Sequence, residues 1–197
     1  MAKGQDDAET LLPNLPSSVH IAIPNICFIE ALNTYRIDKK KRQDFITEQI
    51  KNQINELNRE KTSINALSLI KHLNEASIDT ERLINDIQNR LFDTIDKLLT
   101  RRAELINLNS DLIRYSAETA IFQPEIWLIK NDLMDNLILQ CILEHSNSYP
   151  EAEKVFLSGN TNDFGKQEVQ EALKNAGIRY SSKTKNFLGW LNSRSLS

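Results

Sequence analysis

Glycine and proline are scarce in this chain of 197 residues, which contains five of each. Because these residues interrupt helices and form turns, their scarcity predicts long helices. The sequence also has no apolar run that approaches the roughly 20 residues needed to cross a bilayer. Its first ten residues, MAKGQDDAET, lack the apolar core of a secretory signal. We therefore expect no membrane association and a cytoplasmic location.

An excess of positive charge is also missing, since the net charge is −3 and no global field draws the molecule to nucleic acid. A local basic patch remains an alternative. The basic residues at 39–42 and 101–102 are compatible either with solvated charge on a helix face or with contacts to phosphates. Cys27 and Cys141 are the only cysteines and lie in apolar helical patterns, which predicts free buried thiols in a reducing compartment.

The middle of the chain, residues 36–118, contains neither glycine nor proline. Apolar residues recur there at helical spacing in two runs, which predicts a long antiparallel helical hairpin. Between the runs, the stretch NEASIDTE predicts a break, with Asp79 or Thr80 as the cap of the second helix.

The flanking parts, residues 1–35 and 119–197, show strand patterns as well as helical ones, unlike the middle of the chain. The first predicts a short polar helix at 5–12, a strand VHIAI at 19–23, and an apolar helix ICFIEALNTY capped by Asn25.

The second flanking part predicts a helix that starts at Pro124 and runs through LILQCILEHS, followed by a strand at 154–158 and the turn GNTNDFG. A helix at 167–175, a strand at 178–181 and a closing helix at 185–191 follow. Strands that alternate with helices predict an α/β fold with a mostly parallel sheet. The two flanking parts then form one discontinuous α/β domain, and residues 36–118 are an insertion within it.

Three carboxylates occupy unusual positions. Glu30 lies in an apolar helix shortly after the first strand, Asp135 lies on the apolar face of NDLMDNLILQCIL, and Asp163 lies in the turn after the strand KVFLS. Since ligands bind outside the carboxyl ends of parallel strands, these acids are expected to converge at one rim. Mg²⁺ or Mn²⁺ resolves the repulsion between converging carboxylates, and Asn160 and Asn162 supply further amide contacts.

A purely structural interpretation stands beside this one. Asp163 then shapes a turn through local hydrogen bonds, and Glu30 reaches solvent from the edge of its helix.

The order of these segments resembles the PIN-domain family of metal-dependent nucleases. The resemblance is carried by FIEAL, by DNLILQCILEHSNSYPEAEKVFLSGNTNDF and by GIRYSSKTKNFLGWL, and it covers residues 1–35 and 124–194. It implies a three-layer α/β/α sandwich, a Mg²⁺ or Mn²⁺ cofactor and cleavage of phosphodiester bonds, usually in RNA.

The resemblance also implies roles for individual residues. Glu30, Asp135 and Asp163 match acids of the family's catalytic site and would hold the metal ion. Asn160 falls near the place where the family often has a further acid, and it is a candidate metal contact.

The first strand of the family, which carries the first acid in a pattern such as apolar-apolar-D-T-N, has no counterpart in this sequence. Asp6 and Asp7 lie in a polar helical stretch and are poor substitutes. Either the true start lies upstream of Met1, or the chain is truncated and inactive. In both cases three acids in place of four predict weak metal binding.

Two function classes follow from these observations. The first is a metal-dependent ribonuclease, of which a toxin with an antitoxin-like protein partner is a narrower version. The second is a non-catalytic interaction protein that acts through the helical hairpin, for instance as a homo-oligomer.

Overall fold

A computed structural model describes residues 11–194 except 61, 101–102 and 131. Contacts between Cα atoms divide the chain into two compact units. The helical unit is Ala31–Lys97. The α/β unit consists of the described residues up to Glu30 and those from Leu98 onward.

The helical unit is built from two long helical runs. The first run begins in the α/β unit and consists of α1 (Ile26–Asp44), a π-helix (Phe45–Ile50), α2 (Lys51–Leu57) and a 3₁₀ turn (Asn58–Glu60). The second run is α3 (Ile64–Thr100). The Tyr35 hydroxyl of the first run donates a hydrogen bond of 2.8 Å to Gln88 of the second, so the two runs contact each other.

The predicted break at NEASIDTE is wrong, because α3 continues through it without interruption. The Thr80 hydroxyl donates to the Ala76 carbonyl at 2.7 Å, a bond within the helix, and so does not cap a new one. None of these residues is a strong helix breaker, and Glu75, Ala76 and Glu81 favour a helix. The first run ends with the turn at Asn58–Glu60, and α3 begins at Ile64.

The α/β unit contains four short strands in two parallel pairs. In one pair, β1 (Ala22–Pro24) lies beside β2 (Glu104–Ile106). In the other, β3 (Lys154–Leu157) lies beside β4 (Ile178–Ser181), with Phe156 opposite Tyr180. Sequence reasoning assigned residues 104–106 to the helical segment and therefore missed β2, which has only three residues.

Helices α4 (Ser110–Phe122), α5 (Leu133–Ser146), α6 (Thr161–Phe164), α7 (Gln167–Asn175) and α8 (Thr184–Arg194) complete the α/β unit. The single helix predicted from Pro124 is wrong, because only a 3₁₀ turn (Pro124–Ile126) forms there and α5 begins seven residues later. The bounds of α7 and β4 agree with the sequence predictions. Gly177 between them has φ +71°, a backbone angle that glycine adopts without strain.

The core of the α/β unit joins these elements. Eight buried apolar side chains pack together in it: Ile26, Ile129, Ile138, Leu139, Phe164, Val169, Leu173 and Ile178. The α/β class is therefore confirmed. Within the described residues no strand links the two strand pairs into one sheet, so the three-layer sandwich and the division of the chain at 36–118 stay predictions.

Cys141 is buried and Cys27 is partly buried, and both are free thiols, as the sequence predicted. Burial raises the pKa of each thiol to about 11. Among the described residues, no helix is long and apolar enough to span a membrane. The predicted polar helix at 5–12 lies mostly outside the described residues, as do Asp6 and Asp7.

Candidate active site

Glu30 lies on the side of α1 that faces the core. It follows the buried Ile26 by four residues and the partly buried Cys27 by three, so the three side chains share one face of the helix. Ile29 and Leu32, by contrast, are 59% and 50% exposed. Glu30 therefore lies on the same face of α1 as the residues that pack in the core of the α/β unit. Burial raises the pKa of Glu30, and the nearby Asp132 raises it further.

Asp135 is the most deeply placed of the predicted acids, with 5% of its surface exposed. It lies in the first turn of α5, where the helix dipole favours a negative charge. Asp132 caps this helix by accepting a hydrogen bond of 3.0 Å from the Asp135 backbone N–H.

The preceding loop is fixed by the buried side chain of Asn136. Its amide nitrogen donates to the carbonyl oxygens of Ile129 and Asp132, and its amide oxygen accepts from the Ile129 N–H. These bonds hold the backbone of Ile129 and of Asp132 against the start of α5.

Asp135 titrates far above its ordinary range, with a pKa raised from 3.8 to about 6. Burial is the largest cause, followed by repulsion from Asp132, Glu30 and Asp163. The carboxylates of Asp132, Glu30 and Asp163 therefore lie close enough to Asp135 to disfavour its charge.

Asn160 connects two of these acids. Its amide nitrogen donates to Asp135 Oδ2 at 2.7 Å and to Asp163 Oδ2 at 3.1 Å, so a single nitrogen holds the two carboxylates side by side. Its amide oxygen accepts from the Asp163 N–H at 3.3 Å and caps α6.

Asp163 differs from its neighbours because Lys166 neutralises it. The Lys166 ammonium donates to Asp163 Oδ1 at 2.8 Å and is the largest cause of a lowered pKa for this carboxyl. Asp163 therefore stays ionised over the range in which Asp135 titrates.

The structure thus places Glu30 and Asp163 close enough to Asp135 for their charges to raise its pKa. It adds two residues that sequence reasoning missed, Asp132 and Lys166. Asp132 was overlooked because the helix predicted from Pro124 placed it inside a helix and not at its start. The spacing D-L-M-D was the available signal, since a cap acid and an acid three residues later lie at the same end of a helix.

The donor set fits a hard divalent cation in charge and in ligand type. Three carboxylates act on that of Asp135 through their charge, and among the described residues Glu30, Asp132 and Asp135 form no ion pair with a Lys, Arg or His side chain. The set is not closed, however: in the described part of the chain no three His, Cys, Asp or Glu side chains are placed to hold one ion together. In this geometry Asn160 presents its nitrogen, not its oxygen, to the carboxylates, and its role as a ligand stays a prediction.

A family model described as PIN domain matches residues 2–164 of this sequence. The chain therefore belongs to the PIN-domain family. The match includes all four acids of the cluster as well as the long helices between Glu30 and Asp132. Comparison with curated proteins and with solved structures gives no match.

Proposed function

We propose that this protein is a metal-dependent nuclease that cleaves RNA phosphodiester bonds, with Glu30, Asp132, Asp135 and Asp163 as the acids that hold Mg²⁺ or Mn²⁺. The observation that supports the proposal most strongly is the position of Asp135, buried among three other carboxylates without a basic partner in the described residues. Such a group is costly unless a cation compensates its charge. Membership of the PIN-domain family supports the same assignment.

Each side chain of the cluster has a distinct part in this proposal. Asp135 and Asp163 present oxygens that Asn160 holds in position, and Lys166 keeps Asp163 ionised. Glu30 and Asp132 contribute further negative charge from α1 and from the cap of α5. A bound Mg²⁺ or Mn²⁺ would neutralise charge on the phosphate and lower the pKa of a water molecule.

Asp132 bears on the expected strength of metal binding. The three acids found in the sequence predicted weak metal binding. In the structure Asp132 adds a fourth carboxylate that acts on Asp135. We propose that Asp132 adds to the negative charge that holds the metal ion and so strengthens its binding.

Cleavage of a labelled single-stranded RNA by the full chain in Mn²⁺ or Mg²⁺ tests the proposal. Asp135→Asn preserves the shape of the side chain and removes its charge, so cleavage should be abolished while the circular dichroism spectrum is unchanged. Asp111→Asn is the matched control, because Asp111 is an exposed acid in the first turn of α4. Cleavage that survives in Asp135→Asn, or that is lost equally in both variants, would eliminate this mechanism.

A second candidate function, self-association through α3, is favoured by its exposed apolar side chains. Ile64 and Phe92 are 83% and 70% exposed, and Leu67, Ile78 and Leu99 are exposed as well. At about 3.6 residues per turn, these five positions fall within roughly a third of the helix circumference, whereas two further exposed apolar residues, Leu69 and Leu83, lie outside it. Exposed apolar surface of this kind is typical of protein contacts.

Light scattering on the full chain tests this candidate. Phe92→Glu should dissociate an oligomer, whereas Asn65→Glu, which adds the same charge at an exposed position of α3 outside that third of the circumference, should leave it intact. A monomer before any substitution would dismiss self-association. A toxin–antitoxin role with a separate protein partner stays a prediction from the sequence.

A further inference from the structure

A small cavity lies between β4 and α8. It measures about 290 Å³ and is lined by Val155, Gln170, Arg179, Tyr180, Ser181, Ser182, Asn186, Phe187 and Trp190. We refer to this cavity as the Trp190 pocket. Its volume is at the lower end of the range for ligand sites, about 300–1,000 Å³, so it suits one small planar group.

The chemistry of the lining favours a flat aromatic ligand. The guanidinium carbon of Arg179 lies over the Trp190 ring, 5.5 Å from its centroid. The Phe187 ring is stacked against Trp190, with centroids 6.1 Å apart and planes at 27°. Nucleic-acid bases stack on aromatic rings and on arginine guanidinium groups, and Ser182 and Asn186 offer polar groups for a base edge.

The surrounding segment is basic although the whole chain is not. Residues 165–197 contain six Lys or Arg and two Glu, whereas the net charge of the chain is −3. Local positive charge beside aromatic side chains is the pattern of a single-stranded nucleic-acid site.

A short series of hydrogen bonds connects the pocket to the carboxylate cluster. The Ser158 N–H donates to the carbonyl of Ser181, a residue that lines the pocket, at 3.1 Å. The Tyr180 hydroxyl donates to the Ser158 carbonyl, and the Asn160 N–H donates to the Ser158 hydroxyl. Asn160 in turn bonds to Asp135 and Asp163. The pocket and the cluster therefore border the same edge, where β3 and β4 end.

We propose that the Trp190 pocket binds one base of a single-stranded RNA whose phosphate backbone reaches the carboxylate cluster. This inference rests on the proposed nuclease function and adds to it a site that recognises the substrate. In the bound state the base stacks against Arg179 and Trp190, and the basic side chains of residues 165–197 attract the flanking phosphates.

Two RNA-like probes separate stacking from charge. One is a fluorescent oligouridylate of about ten nucleotides, and the other has the same length and phosphates but abasic sugars. Binding is measured by fluorescence anisotropy on the full chain carrying Asp135→Asn, with EDTA present so that no cleavage occurs. We expect the base-bearing probe to bind about tenfold more tightly than the abasic probe.

Substitutions in the pocket should remove this preference. Trp190→Ala and Arg179→Ala should each bring the two probes to nearly equal affinity, whereas Trp190→Phe should keep part of the difference. Arg114→Ala removes an exposed positive charge from α4 and should leave the preference intact. If circular dichroism shows that Trp190→Ala does not fold, the exposed Arg179 and the Trp190→Phe variant decide the question.

Equal affinity for both probes before any pocket substitution would overturn the proposal. So would an unchanged preference in Arg179→Ala together with Trp190→Phe. The cleavage assay with the unsubstituted chain is read separately. If the chain cleaves RNA but shows no preference for the base-bearing probe, only the proposal of a base-binding pocket is contradicted. If it shows that preference but does not cleave RNA, only the proposed nuclease function is contradicted.

Discussion

At the scale of single residues, Asp135 is held by opposing forces. The first turn of α5 and the Asn160 amide favour its negative charge, while burial and three neighbouring carboxylates disfavour it. The second group of effects is larger, since its pKa is raised to about 6. Without a cation, the cluster therefore lowers the stability of the protein near neutral pH.

This balance predicts a pH dependence. The pKa of Asp135 is about 6 in the folded protein against an ordinary 3.8, so the folded state binds more protons between these values. The free energy of unfolding should therefore fall as the pH rises through this window. In EDTA, Asp135→Asn should flatten that fall and stabilise the protein at pH 7 by about 1–2 kcal/mol.

Thermal melts at a series of pH values measure the effect. Asp163→Asn serves as the control of opposite sign, because Lys166 lowers the pKa of Asp163 and its charge stabilises the fold above its ordinary pKa. That variant should lose stability at pH 7. Identical pH profiles for the Asp135→Asn variant and the unsubstituted chain would contradict the explanation.

Asn160 gives a second prediction at this scale. Asn160→Ala removes the nitrogen that bonds to both Asp135 and Asp163 and the oxygen that caps α6. Urea unfolding should show a loss of about 1–2 kcal/mol. Asn162→Ala, at an exposed position two residues away, should change the stability much less; similar losses in both variants would show that the shared bond is unimportant.

The sequence indicated the carboxylates only in part. Glu30 and Asp135 could be found because an acid amid apolar residues at helical spacing is conspicuous, and Asp163 because it follows a strand. Asp132 and Lys166 could not, since Asp132 fell inside the helix predicted from Pro124 and a lysine near a turn is ordinary in isolation. Their importance depends on distances across the fold, which no local pattern contains.

At the scale of elements, the segment from β3 to α8 follows its sequence closely. Gly177 separates α7 from β4, and its φ of +71° requires a residue without a side chain. The apolar residues of α7 recur at helical spacing. The segment of β4 has only four residues, which is too short for a helix of ordinary length. Local signals therefore agree with one another in this segment.

Two glycines allow a matched test of that statement. Gly177→Ala should destabilise the protein by about 1 kcal/mol because of its positive φ. Gly189→Ala should stabilise it by up to about 1 kcal/mol, because Gly189 lies inside α8 and nothing lies within 4 Å of an added Cβ. Chemical denaturation measures both changes, and effects of the same sign would refute the assignment of roles.

The long helices show where element prediction failed. Residues 64–100 form one helix although the sequence favoured a break near Asp79. Asp and Thr are frequent helix caps, but they are also tolerated on an exposed helix surface, where no cap is needed. Strand β2 was missed because it has only three residues, too few to show the alternation of apolar and polar residues that identifies a strand.

At the scale of the whole molecule, the scarcity of glycine and proline predicted long helices, and the alternation of strands and helices predicted an α/β fold. The helical unit and the α/β unit agree with these two predictions. The arrangement of the strands as two separate pairs could not be predicted. Strand pairing depends on contacts between distant residues, such as Ala22 with Glu104, which periodicity does not reveal.

The central claim is that the carboxylates around Asp135 bind a divalent cation. Isothermal titration calorimetry of Mn²⁺ into the full chain tests it most directly, with Asp135→Asn and the control Asp111→Asn measured in parallel. We predict saturable binding that Asp135→Asn weakens by about tenfold or more and that Asp111→Asn leaves unchanged. No binding by the unsubstituted chain, or equal affinity in all three proteins, would contradict the account.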